Sequence, residues 1–151
     1  MYTEALLAEM QHVMGRGWLS FNGLAWGDAE GLELCAALRY AHSNRVSVRS
    51  LTCLSLADNC LGDAFIQSLV ACFDEGALAG LVTLHLEGNP ITEGGMQALA
   101  GAVTRGRLPA CKMLNLDRVV CRSACVVQEA ARRRVPGMRV WDSDDADAVG
   151  G

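Results

Sequence analysis

Leucine and polar residues alternate over two short stretches of the chain that lie 30 positions apart. Residues 51–59 have leucine at the first, fourth and sixth positions and asparagine at the ninth, and residues 81–89 do the same. Because successive side chains of a β-strand point to opposite faces, the leucines at the fourth and sixth positions face one side together. The pattern therefore predicts two short strands, each with one buried face and one open face.

Each predicted strand is followed by apolar residues at helical spacing. They recur at intervals of three and four positions, which places them on one stripe of a helix. The stripe consists of Ile66, Leu69, Val70 and Phe73 after the first strand, and of Met96, Leu99, Ala100 and Val103 after the second. Strand and helix keep the same offset of 30 residues, so the chain repeats a strand–helix unit.

A weaker copy of this unit precedes the two clear ones. Residues 27–29 and 62–64 both read Gly-Asp-Ala, and at this offset of 35 residues Leu19 also aligns with Leu54 and predicts an earlier strand. The same offset predicts a helix whose apolar stripe is Gly31, Leu34, Cys35 and Leu38. This first unit has Leu24 where the strand pattern has asparagine.

Weaker copies also follow the clear units. Residues 111–119 keep Leu114 and Leu116 but lack the asparagine. At an offset of 27, the next helix has the stripe Ser123, Val126, Val127 and Ala130. Residues 135–141 resemble residues 108–114, which predicts a last half-unit with Trp141 at a core leucine position.

The strand pattern, the glycine and acidic residues that start the helices, and the period near 30 residues resemble ribonuclease-inhibitor-like leucine-rich repeats. The resemblance implies a short right-handed α/β arc of about four strand–helix repeats, a solenoid with a parallel sheet on its concave face and helices on its convex face. It covers residues 16–141, which form the repeat domain.

Stacked repeats leave apolar surface open at both ends, so covers are expected. Residues 1–15 are predicted to be an N-terminal capping helix, in which residues 3–14 are helical. One face of this helix holds Leu6, Leu7, Met10, Val13 and Met14. Residues 142–151 form an acidic C-terminal tail without core-forming residues.

Strand alternation assigns the residues of the concave face, where a protein partner is expected to bind. The predicted partner-binding residues are Trp18, Ser20, Asn22, Ser55, Thr83, His85, Glu87, Met113, Asn115 and Asp117. The same alternation also places Cys53, Ala57, Val140 and Asp142 on this face. Small and nearly uncharged residues on the convex side are a second candidate surface, although they are also compatible with no function: Gln67, Ser68, Ala71, Cys72, Gln97, Ala98, Gly101 and Ala102.

Charge is sorted along the chain, although the net charge is only −4. Residues 1–104 carry four arginines and eleven carboxylates, residues 105–139 carry nine basic residues and two carboxylates, and residues 142–151 carry four aspartates. The basic stretch predicts an anion-binding edge for an acidic protein surface or a microtubule lattice, formed by Arg118, Arg122, Arg132, Arg133 and Arg134. Arginines that only complement a helix dipole are the alternative. No aromatic residues are interleaved with them, which argues against nucleic acid.

The sequence predicts no catalytic residue, no cofactor and no metal. The seven cysteines form no Cys-x-x-Cys pair and lie mostly in apolar runs, which favours buried free thiols in a reducing compartment. A zinc site on Cys121 and Cys125 is the alternative, but the three histidines are distant in sequence. His85 and Glu87 have the types of a catalytic base and its orienting acid, yet no nucleophile or oxyanion motif accompanies them.

These features together predict a non-catalytic protein–protein interaction module, a small structural or scaffold subunit of a larger eukaryotic complex. The alternative is a regulator of a GTPase or an enzyme that acts through the concave face. The expected partners are proteins, with no membrane, nucleic acid or small-molecule substrate. Without a signal peptide or an apolar run of about 20 residues, the expected location is intracellular and cytoplasmic, including cytoskeletal or flagellar association, and not secreted.

Overall fold

A computed structural model describes residues 17–44, 51–116, 125–135 and 137–141 of the chain. Strands and helices alternate along these residues in this order: β1 (Trp18–Ser20), α1 (Asp28–Ser43), β2 (Cys53–Ser55), α2 (Asp63–Asp74), β3 (Thr83–His85), α3 (Glu93–Thr104), β4 (Met113–Asn115), α4 (Cys125–Arg134) and β5 (Arg139–Trp141). The predicted capping helix at residues 3–14 and the acidic tail at residues 142–151 lie outside the described residues.

The five strands form one parallel sheet in which sequence order and spatial order are the same. Every neighbouring pair is parallel, and a helix joins each strand to the next. Each helix therefore returns the chain to the starting edge of the sheet. This confirms the predicted α/β arc of stacked strand–helix units. No helix in the described ranges is both long and apolar enough to cross a membrane.

The middle residues of the strands form one core row across the sheet. Leu19, Leu54, Leu84 and Leu114 align in register and are 0–1% exposed, which confirms the offsets predicted for the first four units. In the last unit the core position is occupied by valine instead of leucine, since Val140 aligns with Leu114.

The prediction for the last strand was wrong by one residue. Trp141 aligns with Asn115 instead of occupying the leucine position, and Val140 packs against the core instead of lying on the concave face. A slip of one residue exchanges the two faces of a strand. The rest of the row is leucine, and valine continues that packing where an indole ring would overfill it.

The helices bury the stripes that their spacing predicted. All four predicted stripe residues of α1 and of α2 are buried, as are Met96, Leu99 and Val103 of α3. Gly31 shows why the first stripe begins with glycine, because a Cβ atom there would lie 2.5 Å from Cδ2 of Phe65. α1 and α2 therefore pack closely at this point.

Two buried asparagines join consecutive units by their side chains. The Oδ1 atom of Asn59 accepts hydrogen bonds from the backbone N–H groups of Leu24 (3.0 Å) and Trp26 (3.1 Å), and its Nδ2 atom donates to the carbonyl of Phe21 (2.8 Å). All three partners belong to the preceding unit. Asn59 thus satisfies backbone groups at a bend where no regular ladder exists.

Asn89 does the same one unit later. Its Oδ1 atom accepts a hydrogen bond from the backbone N–H of Leu61 at 3.1 Å, and its Nδ2 atom donates to the carbonyls of Leu56 at 2.8 Å and Leu86 at 3.0 Å. The asparagine of the repeated pattern therefore has the same role in both units.

Two aspartates link the units in the other direction. Whereas each asparagine bonds to the unit before it, each aspartate bonds to the unit after it. The Oδ1 atom of Asp28, at the start of α1, accepts hydrogen bonds from the backbone N–H groups of Gly62 (2.7 Å) and Phe65 (3.3 Å) at the start of α2. Asp63 of α2 accepts bonds from both the backbone N–H and the hydroxyl of Thr92, which precedes α3. A carboxylate at this place satisfies amides that a helix start leaves unpaired.

Candidate functional site

The residues on either side of the core row form the open face of the sheet. The first of these outer rows is Trp18, Cys53, Thr83, Met113 and Arg139, and the second is Ser20, Ser55, His85, Asn115 and Trp141. Neighbours within a row lie about 4.8 Å apart because they belong to adjacent strands. We refer to these two rows, with Asn22 and Glu87 beyond them, as the concave face.

Most of the predicted partner-binding residues lie on this face and retain some exposure. Trp18, Ser20 and Asn22 are exposed, and the half-buried residues are Thr83, His85, Glu87, Met113 and Asn115. Arg139 takes the register position that was predicted for Val140. Asp117 and Asp142 lie outside the described residues. Whether a partner binds these residues stays a prediction.

The part of the concave face beside the first two strands is closed by internal hydrogen bonds. The hydroxyl of Ser55 donates to Oδ1 of Asn22 at 2.7 Å, and the backbone N–H of Ala57 donates to the same atom at 2.9 Å. Ser55 is only 9% exposed and Ala57 only 4%. Strand alternation predicted open surface at both residues, but the side chain of Asn22 covers them.

The centre of the concave face is polar and incompletely paired. Nδ1 of His85 lies 3.4 Å from Oε1 of Glu87, and the two side chains are 26% and 16% exposed. Within the described residues, Nδ1 of His85 and Oε2 of Glu87 are both covered and lack a hydrogen-bond partner. A covered polar atom without a partner costs about 1–3 kcal/mol, so this pair favours a rearrangement that supplies one.

Charge is sorted between the two edges of the arc. Helix ends and strand starts share one edge, since each helix returns the chain to the starting edge of the sheet. This basic edge holds every described lysine and arginine: Arg39, Arg105, Arg107, Lys112, Arg132, Arg133, Arg134 and Arg139. The opposite, acidic edge holds seven carboxylates: Asp28, Glu30, Glu33, Asp58, Asp63, Glu87 and Glu93.

The remaining described carboxylates pair with arginines of the basic edge. Asp74 lies 3.1 Å from Arg105 and 3.3 Å from Arg107. Glu129 lies 2.8 Å from Arg133 and 3.5 Å from Arg132. Each of these two carboxylates is shared by two arginines, so the half of the edge beside α3 and α4 keeps a surplus of positive charge.

The first half of the basic edge is balanced. Arg39 makes two hydrogen bonds to the carboxylate of Glu75, at 2.6 and 2.9 Å. These bonds and the opposite charge raise the pKa of Arg39 and lower the pKa of Glu75. One arginine meets one carboxylate here, so the described residues of this half leave no surplus; Arg16, Arg45 and Arg49 lie outside them.

The structure places three of the five predicted anion-binding residues on the basic edge, and whether this edge binds anions stays a prediction. Arg132, Arg133 and Arg134 lie at the end of α4 and are exposed, as predicted, whereas Arg118 and Arg122 are outside the described residues. The sequence prediction missed four residues of the same edge, Arg105, Arg107, Lys112 and Arg139. Their places at helix ends and strand starts were a usable signal, because a repeated unit returns all such places to one edge.

The convex side contains fewer open small residues than predicted. Cys72 and Ala102 were expected to face outward but are fully buried. Sγ of Cys72 donates a long hydrogen bond of 3.7 Å to the carbonyl of Cys35 on α1. A helix between two others is covered on both flanks, so only a narrow outer stripe stays open. Gln67 and Gln97 lie on that stripe and are exposed.

The cysteines divide into buried and open thiols. Cys35, Cys72 and Cys111 are buried free thiols, and burial raises the pKa of Cys111 to about 11. Cys60 and Cys125 are exposed, which the sequence prediction of mostly buried thiols did not distinguish. Within the described part of the chain, no group of three or more histidine, cysteine or carboxylate side chains is arranged to hold a metal ion. Cys121, the other half of the zinc alternative, lies outside that part.

Comparison with known families agrees with the geometry of the middle units. Residues 49–69 and 81–100 match the family described as Leucine Rich repeat. The chain contains two leucine-rich repeats. The matched residues hold β2 with the first half of α2, and β3 with most of α3. A search of the curated proteins finds no match. The leucine-rich repeat is in general a non-catalytic fold for protein–protein interaction.

Proposed function

We propose that this chain is a protein-binding module that works through its concave face, as a small structural or scaffold subunit of a larger eukaryotic complex in the cytoplasm. The observation that carries the proposal is the pair His85 and Glu87, whose covered polar atoms lack hydrogen-bond partners among the described residues. A bound protein supplies donors and acceptors at this place and offsets the cost of the unpaired atoms. The finer likeness to ribonuclease-inhibitor-like repeats is part of this proposal.

The composition of the face suits a protein partner. The outer row beginning with Trp18 is largely apolar and includes Met113, while the row that contains His85 is polar. Protein interfaces combine an apolar centre enriched in aromatic residues, methionine and arginine with a polar rim. Five strands at about 4.8 Å spacing give a narrow face, so the partner contributes a single helix or loop instead of a whole domain.

The test compares charge insertions on the two sides of the arc. Thr83→Arg and Met113→Arg place a large cation on the concave face, whereas Gln67→Arg and Gln97→Arg place the same cation on the helix side. The tagged chain is used to recover partners from an extract of its own cells, with each variant tested in parallel. We expect the concave variants to lose at least ten-fold of the recovered partner and the helix-side variants to keep it.

Equal recovery with all four variants would exclude the concave face as the binding surface. Circular dichroism of the purified variants confirms that a loss of partner is not a loss of fold. If the recovered partner is a GTPase or an enzyme whose activity changes on binding, the module acts as a regulator through the same face. That outcome distinguishes the two functions that the sequence left open.

A further inference from the structure

Three cations of the basic edge have no ion-pair partner within the part of the chain that the structure describes: Lys112, Arg134 and Arg139. All three are exposed. The other five described cations of this edge each lie between 2.6 and 3.5 Å from a carboxylate. We refer to the three without such a contact as the basic corner.

Backbone hydrogen bonds bring the three residues of the basic corner together. The N–H of Arg139 donates to the carbonyl of Lys112 at 2.8 Å, so these two residues lie side by side where β4 and β5 begin. The N–H of Met138 donates to the carbonyl of Val135 at 3.0 Å, which brings the start of β5 close to Arg134 at the end of α4. Lys112 and Arg139 begin strands instead of ending a helix, so a helix dipole does not account for the cluster.

The acidic edge of a second copy of this chain is not a suitable partner for the corner, because most of its carboxylates are already used. Asp28 and Asp63 accept hydrogen bonds from backbone N–H groups at the start of the next helix. Glu30 accepts one from the N–H of Gly27 at 2.8 Å. The carboxylates that fit the corner therefore come from a different protein.

The basic edge itself shows that carboxylates suit its cations. Asp74 and Glu129 are each shared by two arginines, at distances of 2.8–3.5 Å. The Nη2 atom of Arg105 bonds to both carboxylate oxygens of Asp74, at 3.1 and 3.2 Å. Such two-fold contacts make arginine–carboxylate pairs strong and specific. An acidic protein segment supplies the same groups at the basic corner.

A groove between α3 and α4 adds an apolar part to this site. Its volume is about 300 Å³, and its lining includes Ala100, Gly101, Val126 and Ala130 together with Arg133 and Arg134. Arg134 therefore belongs to both the groove and the basic corner. The small apolar groups accept an aliphatic side chain, whereas a phosphate chain has nothing to pack against them. The matching ligand carries a small aliphatic residue among acidic ones.

We propose that the basic corner and the adjoining groove form a second binding site, which takes an acidic segment of a partner protein with a small aliphatic residue among its acidic ones. Carboxylates of the segment pair with Lys112, Arg134 and Arg139, and the aliphatic side chain enters the groove. Arg139 is also part of the concave face, but Lys112 and Arg134 lie outside it. The site therefore does not depend on binding at the concave face.

Three labelled peptides test the chemistry of the ligand. The first is Gly-Glu-Glu-Val-Glu-Glu-Gly, the second has serine in place of valine, and the third has glutamine in place of every glutamate. Each is titrated against the full-length chain by fluorescence polarisation at an ionic strength of about 0.05 M, where screening is weak. We expect the first peptide to bind at least about ten-fold more tightly than the glutamine peptide. It should also bind at least about three-fold more tightly than the serine peptide, because only valine buries apolar surface.

Variants of the corner locate the carboxylate contacts. Lys112→Glu combined with Arg134→Glu should weaken binding of both glutamate peptides at least ten-fold, whereas Lys112→Arg with Arg134→Lys should retain most of it. Arg39→Glu is the matched control, since it reverses a charge on the balanced half of the same edge. Circular dichroism of each variant checks that the fold is kept. Neither substituted position belongs to the concave face, so the result is separate from the test of the proposed function.

One variant of the groove locates the aliphatic contact. A Cβ atom at Gly101 would meet only Nη1 of Arg105, at 3.1 Å, and this flexible end can move. Gly101→Leu therefore fills the groove without disturbing the backbone. It should remove the preference for the valine peptide and leave binding of the serine peptide unchanged.

Several results would overturn the proposal. Equal affinity for the glutamate and glutamine peptides would exclude a carboxylate site, and equal affinity for the valine and serine peptides would exclude the groove. Binding that survives the two glutamate substitutions would place the contact elsewhere. Inorganic polyphosphate serves as a competitor, and we expect it to displace the serine peptide more readily than the valine peptide. If it binds more tightly than the valine peptide, the corner is a phosphate site instead.

Discussion

The middle repeat and the two ends of the arc are held in different ways. The unit at residues 51–74 is tied from both sides, by Asp28 of the unit before it and by Asn89 of the unit after it. The first repeat is tied to a described neighbour on one side only, by side chains of the second unit such as Asn59, Ser55 and Glu75. All the large hydrophobic side chains that stay exposed in the described residues belong to that first repeat: Trp18, Leu24, Leu32 and Tyr40.

The other end of the arc, beside α3 and α4, is distinguished by its charge and not by exposed apolar side chains. There the arginines outnumber the carboxylates that pair with them, beside α3 and α4. The comparison teaches that stability is concentrated in the middle of the stack, where side chains link three consecutive units. The ends make fewer such links and present the exposed apolar side chains and the surplus arginines, as expected for a short solenoid.

Replacing Asn89 is the strongest way to break the middle of the stack. Asn89→Ala leaves the N–H of Leu61 and the carbonyls of Leu56 and Leu86 without their partner at a site only 1% exposed. We expect the free energy of unfolding to fall by about 3–5 kcal/mol, measured by urea denaturation. Asn59→Ala is the comparison and should cost less, because Asn59 is 6% exposed and its hydrogen bonds to Leu24, Trp26 and Phe21 are only partly buried. A loss below about 1 kcal/mol for Asn89→Ala would contradict the assignment.

The hydrogen bonds that Asp28 and Asp63 accept from the start of the next helix should contribute less to stability than those of Asn89. Asp63→Ala removes the acceptor of the Thr92 N–H and hydroxyl, and we expect a loss of about 1–2 kcal/mol in the same denaturation measurement. Asp28→Ala, at the equivalent place one unit earlier, should cost a similar amount because it frees two amides of α2. Asp63→Asn keeps an oxygen acceptor and serves as control. If Asp63→Asn lowers the free energy of unfolding as much as Asp63→Ala does, the charge of Asp63 contributes more to stability than its hydrogen bonds do.

The sequence predicts the repeated elements well because each unit confirms the register of the others. Leucine spacing aligns Leu54, Leu84 and Leu114, and the Gly-Asp-Ala helix start at residues 27–29 adds Leu19. The helix stripes follow at the same offsets, except that the stripe of α4 needs 27 residues instead of 30. Trp141 was placed wrongly, because the sequence of residues 142–151 carries no apolar helical stripe that would fix the register of the last strand, and a one-residue slip fits the pattern equally well.

The binding surfaces are harder to predict, since they depend on contacts between units. Nothing in the strand pattern indicates that Asn22 covers Ser55, or that Cys72 packs towards α1. The glycine–aspartate start of each helix was recognised as a helix signal, but the bond from Asp28 to the next unit joins residues 34 positions apart. Among the described residues, Nδ1 of His85 and Oε2 of Glu87 lack hydrogen-bond partners because of their surroundings, which their spacing in the sequence does not indicate.

Substitutions at the centre of the concave face should change stability by a smaller amount and should raise it instead of lowering it. Replacing both His85 and Glu87 by leucine removes two covered polar atoms that lack partners. We expect stability to be unchanged or to rise by up to about 1 kcal/mol, while partner recovery falls. Thermal unfolding and the recovery assay are run on the same preparation. A clear loss of stability would show that the pair supports the fold, which contradicts a site reserved for binding.

The smallest effect should come from the ion pair of Arg39 and Glu75 on the balanced half of the basic edge. Both side chains are largely exposed, so solvent screens their attraction, and Arg39→Ala should lower the unfolding midpoint only slightly at neutral pH. Because the pair lowers the pKa of Glu75, its contribution is present above the ordinary pKa of a glutamate and disappears as the pH falls through the lowered value. The difference between Arg39→Ala and the unmodified chain should therefore vanish in acid. Thermal unfolding as a function of pH checks this, and a difference that persists in acid would mean that Arg39 acts through packing of its aliphatic stem.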